Sequence, residues 1–236
     1  KLSSNKNFTT SFEIIIQLGA ILSVVVYFWK NLIPFYGTKE ERLNKWNLWL
    51  KIIISILPAI FIGLIADEWI EKYFFNSLTV SITLIFYGIL FIIIEYYLLK
   101  RGIFLIDNID KVSYKKAFII GLFQCLAFIP GTSRSAATII GGILLGLNRY
   151  LAAEFSFFLA IPTMLGASLL KIIKNGLSFS LYEWLLILTG FILSFLIALI
   201  TISFFMNYLK KKNFIIFGYY RIILGVIIII LTIIKK

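Results

Sequence analysis

Histidine is absent from the 236 residues, which excludes imidazole acid–base chemistry and His-ligated metal centres within them. There is one cysteine, Cys125, in an apolar run, so no internal disulfide can form. Charge is scarce. Asp, Glu, Lys and Arg make up 14% of the chain, against about 25% in a typical soluble domain. Acidic residues are the scarcer sign, 11 against 23 basic ones, for a net charge of +12. The opening Lys1, Ser3, Ser4, Asn5 and Lys6 is polar, so no cleavable signal peptide is expected there.

What the chain does have is apolar length. Hydrophobic residues account for 61% of it, and the mean hydropathy is +0.98. Apolar runs near the length of a bilayer crossing recur throughout, which predicts an all-α integral membrane protein rather than a barrel. In that setting the positive charge fits cytoplasmic loops and anionic lipid headgroups, and nucleic acid is not an expected partner.

Six crossing helices are expected, at about 12–29, 48–65, 78–99, 151–170, 184–208 and 214–234. The stretch from Lys30 to Lys45 reads as a polar loop, and Asp67, Glu68, Glu71 and Lys72 as an acidic connection. Between the third and fourth spans lies a different pattern. Ala117 to Ile129 is 13 residues, ~20 Å as a helix, too short for a ~30 Å hydrocarbon core. Ser135 to Leu147 is similarly short, so 117–147 reads as a re-entrant helical hairpin, which needs protein or water around its bend.

Charge placement supports that layout. With 117–147 re-entrant, fourteen Lys and Arg residues fall on the cytoplasmic side and seven outside. A full crossing there would send Lys210, Lys211 and Lys212 outside. The plan is one polytopic domain, with first-repeat spans over 12–99, the hairpin, and second-repeat spans over 151–234. Inverted-repeat membrane folds place their sites at such broken helices, and by that logic a second hairpin belongs before the first span.

The bend of the hairpin carries the chemistry. Pro130, Gly131, Thr132, Ser133, Arg134, Ser135, Ala136, Ala137 and Thr138 combine a helix-breaking Pro-Gly pair, four hydroxyls and one guanidinium. Hydroxyls, backbone N–H groups at a helix start and an arginine are the groups that hold a phosphate. Thr138 lies one turn beyond Arg134 and either faces the same pocket or bonds back to its own helix. Glu13 and Gln17 share one face of the first span. Arg221 lies within the last span and needs an internal partner, phosphate or carboxylate. Glu154 is expected to pair with Arg149 or a loop lysine.

At these residues the chain resembles the undecaprenyl pyrophosphate phosphatases, also called bacitracin-resistance proteins. Residues 130–138 match the family's P-G-x-S-R-S-x-x-T signature at every fixed position. Gly141-Gly142, Leu147-Asn148-Arg149-Tyr150, Ala153-Glu154-Phe155-Ser156-Phe157, Ile161-Pro162, Phe12-Glu13 with Ile16-Gln17-Leu18-Gly19, and Tyr220-Arg221 also look like the family. The family's N-terminal E-G-x-T-E-F-L-P motif is absent, so the chain reads as a fragment without the first re-entrant hairpin or as a degenerate relative, and the intact remainder of the signature favours the fragment.

The resemblance implies hydrolysis of undecaprenyl pyrophosphate to undecaprenyl phosphate and inorganic phosphate. That reaction recycles the lipid carrier for peptidoglycan synthesis, supports cell shape and confers bacitracin resistance. It implies a catalytic role for Arg134, Ser133 and Thr138, and substrate binding by Gly131, Thr132, Ser135, Arg221, Glu13 and Gln17. It also implies a divalent cation, Mg²⁺ or Ca²⁺, with ligands outside this chain; the chain itself is assigned no metal ligand. The expected setting is the bacterial inner membrane, multi-pass, with the active site on the outer side, membrane lipids around it and a homodimer allowed. The histidine-dependent lipid phosphatases are disfavoured, since their motifs need a histidine. The alternative is an inverted-repeat transporter or lipid flippase that binds an anionic headgroup without cleaving it.

Overall fold

The computed structural model describes residues 6–99, 106–175 and 179–234. Its elements are α1 (Lys6–Tyr27), α2 (Trp29–Leu32), α3 (Lys39–Phe74), α4 (Ser77–Ile94) with a π-helical turn over Glu95–Leu99, α5 (Tyr114–Cys125), α6 (Arg134–Leu144), α7 (Arg149–Asn175), α8 (Leu181–Lys211) and α9 (Ile215–Ile234). Single 3-10 turns sit at Ile109–Lys111 and Leu126–Phe128. Among the described residues, β pairing is limited to one isolated bridge between Ile106 and Leu147. The protein is an all-α membrane protein. Five described helices are long and apolar enough to cross a bilayer: Lys39–Gly63, Ser77–Tyr97, Arg149–Leu170, Leu181–Lys211 and Ile215–Ile234. The expected first span is the apolar stretch Ser11–Tyr27 of α1, shorter than those five.

Two sequence expectations are corrected. The polar loop drawn from Lys30 to Lys45 holds the short helix α2, and α3 already begins at Lys39. The acidic connection at 67–72 is the continuing C-terminal end of α3. The cause at the N-terminus is a capping box: Glu41 N–H donates to Thr38 Oγ1 at 3.3 Å, and Thr38 N–H donates to Glu41 Oε2 at 2.9 Å. Glu, Lys and Arg are good helix formers, so charge alone does not end a helix. Lys100 and Arg101, two of the fourteen basic residues assigned to the cytoplasmic side, lie outside the described residues.

The chain divides into two compact units. The first comprises Lys1–Trp46 and Phe157–Asn207. In it α1 lies close against α8: Ser194 Oγ donates to Ile16 O at 2.7 Å, and a Cβ on Gly19 would stand 2.5 Å from Phe191 O.

The second unit comprises Asn47–Ser156 and Tyr208–Lys236. Here α4 and α9 run antiparallel in close contact. A Cβ on Gly88 would stand 2.7 Å from Gly218 O, and one on Gly218 would stand 2.8 Å from Gly88 O, so two glycines let the backbones meet. Toward one end Phe91 stacks on Phe214 at 5.3 Å. Alongside, α5 and α6 form the expected helical hairpin. The Phe123 ring fills the space left by Gly141, and Lys116 Nζ donates to Leu145 O at 2.7 Å, satisfying a C-terminal carbonyl of α6. Ser55 on α3 donates to Ala117 O at 2.7 Å and anchors α5 at its base.

Candidate active site

The bend between α5 and α6 is built from local sequence. The Thr132 N–H donates to Ile129 O at 3.1 Å, closing a four-residue turn over Ile129–Thr132. Proline stands second and glycine third, and Gly131 has φ +84°. That combination is a type II turn, whose third residue needs a positive φ. Gly131 is also pressed against α4: a Cβ there would stand 2.2 Å from Thr83 Oγ1 and 2.6 Å from Val80 O.

Ser133 follows as the N-cap of α6, with extended backbone, its Oγ accepting from Ala136 N–H at 3.3 Å. Arg134 is the first residue of the helix. The first-turn amides of α6 point out of the helix toward the bend, where an anion is favoured. The Ser133 and Ser135 hydroxyls lie 3.0 Å apart and share a hydrogen bond. Six of the expected site residues, Gly131, Thr132, Ser133, Arg134, Ser135 and Thr138, therefore sit on one short turn and the start of one helix.

Thr138 is buried, and its hydroxyl is engaged. It lies 3.0 Å from Arg134 O, 3.2 Å from Ser135 O and 2.7 Å from Ser156 Oγ on α7. Of the two readings left open for it, the back-bonding geometry is present, with the link to α7 added. Thr132 is also buried.

Arg221 reaches the bend from α9. Its Nη2 donates to Gly131 O at 2.9 Å, and the guanidinium lies over the Tyr87 ring at 5.8 Å. The internal partner is thus a backbone carbonyl and an aromatic face. Arg221 is 8% exposed, and its buried Nε has no hydrogen-bond partner among the described residues. Thr83 on α4 donates to Pro130 O at 2.8 Å. Glu13 and Gln17 lie on α1 in the other compact unit, both exposed.

Several contributors escaped the sequence reading. Thr83 and Tyr87 carry no local signal and matter through what packs on them; Ser156 lay in a stretch resembling the family but was given no role. Gln124 had one, as a lone amide in the apolar run before the bend. It is 3% exposed, and neither its Oε1 nor its Nε2 finds a hydrogen-bond partner among the described residues. Arg149 forms an ion pair with Glu95, a partner the sequence reading did not name.

A sequence profile described as Bacitracin resistance protein BacA matches residues 1–227. The chain belongs to this family. The undecaprenyl-diphosphatase of Fusobacterium nucleatum is 58% identical over 226 residues, covering 95% of this chain and 85% of that protein. Undecaprenyl-diphosphatase 1 of Clostridioides difficile is 49% identical over 231 residues, 97% of this chain and 83% of that one. The undecaprenyl-diphosphatase of Enterococcus faecalis is 49% identical over 237 residues, 97% and 84%.

For a member of the BacA family the bend has the right groups for a phosphate: a guanidinium, two linked serine hydroxyls and a helix N-terminus. It does not have the groups for a hard divalent cation, which takes carboxylate and carbonyl oxygens. Among the described residues no three His, Cys, Asp or Glu side chains converge. The cation implied by the resemblance would take its ligands from outside this chain, and the bend itself does not supply them.

Proposed function

We propose that the protein hydrolyses undecaprenyl pyrophosphate to undecaprenyl phosphate and inorganic phosphate, with the bend at 130–138 holding the phosphate that is released. The observation that carries this reading is the type II turn running into a serine-capped helix that opens on Arg134. Cleavage breaks the anhydride P–O bond at the terminal phosphorus. Water ends as part of the inorganic phosphate, and the bridging oxygen stays with the lipid. Charge on the non-bridging oxygens must be met throughout. Arg134 meets it with a planar, permanently charged fork. Ser133 and Ser135 add hydroxyl donors, and the first-turn amides of α6 add oriented dipoles. Arg221 adds positive charge from behind the turn while holding Gly131 O.

The multi-pass apolar helices place the protein in a membrane. The finer setting belongs to the proposal: the bacterial inner membrane, hairpin 117–147 re-entrant, and the bend opening to the outer side, where the spent lipid carrier is exposed. Membrane lipids cover the apolar helix faces. The product is the form of the carrier that peptidoglycan synthesis consumes, and removing the pyrophosphate form gives bacitracin resistance.

Phosphate release from a polyprenyl pyrophosphate by the purified full-length protein in detergent tests the reading. A protein that binds the lipid and moves it between leaflets without releasing phosphate would replace hydrolysis with headgroup transport.

A further inference from the structure

The two carbonyls at the centre of the bend are each held by a helix outside the hairpin. Thr83 on α4 donates to Pro130 O at 2.8 Å, and Arg221 on α9 donates to Gly131 O at 2.9 Å. A threonine inside a helix ordinarily spends its hydroxyl on its own preceding turn. Thr83 Oγ1 does lie 2.9 Å from Thr79 O and 3.0 Å from Val80 O, yet the Pro130 carbonyl is the nearest of the three.

The location of that carbonyl matters because of what a type II turn is. Types I and II differ by a flip of the central peptide, here Pro130–Gly131. In a trans peptide the C=O and N–H point in opposite directions. Pinning Pro130 O to α4 therefore aims Gly131 N–H away from α4. A flipped peptide would pull Pro130 O off Thr83 and turn that N–H toward α4. It would also put a carbonyl oxygen where an anion would otherwise meet a donor.

We propose that Thr83 is a positioning residue, which selects the type II orientation and so presents Gly131 N–H to the substrate phosphate. The inference rests on the reading of the bend as the phosphate site. It assigns Thr83 no contact with substrate.

Thr83→Val removes the hydroxyl and keeps the shape; Thr83→Ser keeps the hydroxyl. Three quantities are read on the full-length protein in detergent: kcat/KM for phosphate release, the Kd for methylenebisphosphonate (a pyrophosphate mimic with an uncleavable P–C–P bridge), and the unfolding midpoint. Thr83→Val is expected to lower kcat/KM about tenfold and weaken the mimic by a similar factor, with the midpoint little changed. Thr83→Ser should restore both within about twofold. Wild-type binding and turnover in folded Thr83→Val would overturn the proposal. So would a Ser variant as impaired as the Val variant with both unfolding early, which is what a purely structural role predicts. If the wild type releases no phosphate but mimic binding still falls in Val and returns in Ser, hydrolysis is refuted and the brace stands. A wild type that neither binds the mimic nor releases phosphate overturns both.

Discussion

Glu95 and Arg149, 54 residues apart, form a two-pronged, partly buried ion pair. Arg149 Nε lies 3.1 Å from Oε1 and 3.2 Å from Oε2, and Nη2 also bonds Oε1. The Phe214 N–H donates to the same carboxylate at 3.2 Å. One side chain thus joins the end of α4, the start of α7 and the approach to α9. Glu95 is 4% exposed, so these partners replace the water its carboxylate would otherwise bind. Glu95→Ala leaves Arg149 without this carboxylate and is expected to cost about 3 kcal/mol. Replacing both residues with apolar side chains should recover much of that loss. Denaturant midpoints of the two single variants and the double variant in detergent would measure it. A single variant as stable as wild type would show the pair to be idle.

Arg134 is the one permanent charge on the bend itself. Arg134→Ala should lower kcat/KM by at least ~100-fold, since losing a transition-state clamp typically costs about 3 kcal/mol. Arg134→Lys keeps charge but not the fork and should fall between. Turnover near normal in Arg134→Ala, measured as phosphate release, would remove the clamp assignment.

Gly131→Ala tests the turn. At φ +84° an L side chain is strained, and the added Cβ would meet Thr83 Oγ1 at 2.2 Å and Val80 O at 2.6 Å. Strain of this kind costs about 1–3 kcal/mol before the clash is counted. The expected result is a folded protein with activity reduced at least about tenfold, because helix packing survives while the bend shifts. Comparing phosphate release with the unfolding midpoint separates the two. A fully active Ala variant would mean the bend does not touch substrate.

Thr138 and Ser156 should behave as a pair. Their hydroxyls are 2.7 Å apart and tie α6 to α7. Thr138→Ala, Ser156→Ala and the double variant form a cycle, with a coupling of about 0.5–1.5 kcal/mol expected in stability. Activity should follow the same non-additive pattern if Thr138 acts by holding the helix start. Loss of activity confined to the Thr138 variants would instead give its hydroxyl a direct role at the phosphate.

The contrast between what could and could not be read in advance has a physical origin. Pro130, Gly131 and Ser133 determine conformation through their own backbone and side chains, so the bend and the start of α6 were legible. Thr83 and Arg221 are 47 and 90 residues from the carbonyls they hold. Arg221 was legible as a charge needing an internal partner, but which carbonyl it holds, like the role of Thr83, arises from the close contact of α4 with α9 at Gly88 and Gly218, which no local pattern announces. Gln124 was visible as an isolated amide, but its burial depends on packing. The missed start of α3 was different. The Thr38–Glu41 capping box was present, and reading the surrounding charge as loop obscured it.

The hairpin's re-entrance is tested by where α8 ends. Lys210 and Lys211 close that helix, and Lys212 follows at once. Basic clusters beside a crossing helix are retained on the cytoplasmic side. Helices α5 and α6 are 12 and 11 residues long, so neither spans a ~30 Å core alone, and the bend between them carries Arg134. If the hairpin enters and leaves on one face, the crossings after it bring Lys210–Lys212 to the cytoplasm. If 117–147 crosses once, they emerge outside. A reporter fused after Lys212 in the full-length protein is expected to give a cytoplasmic signal, and one fused at Ser180, just before α8, the opposite signal. A periplasmic reading after Lys212 would refute the re-entrant hairpin and leave the bend on a through-going segment.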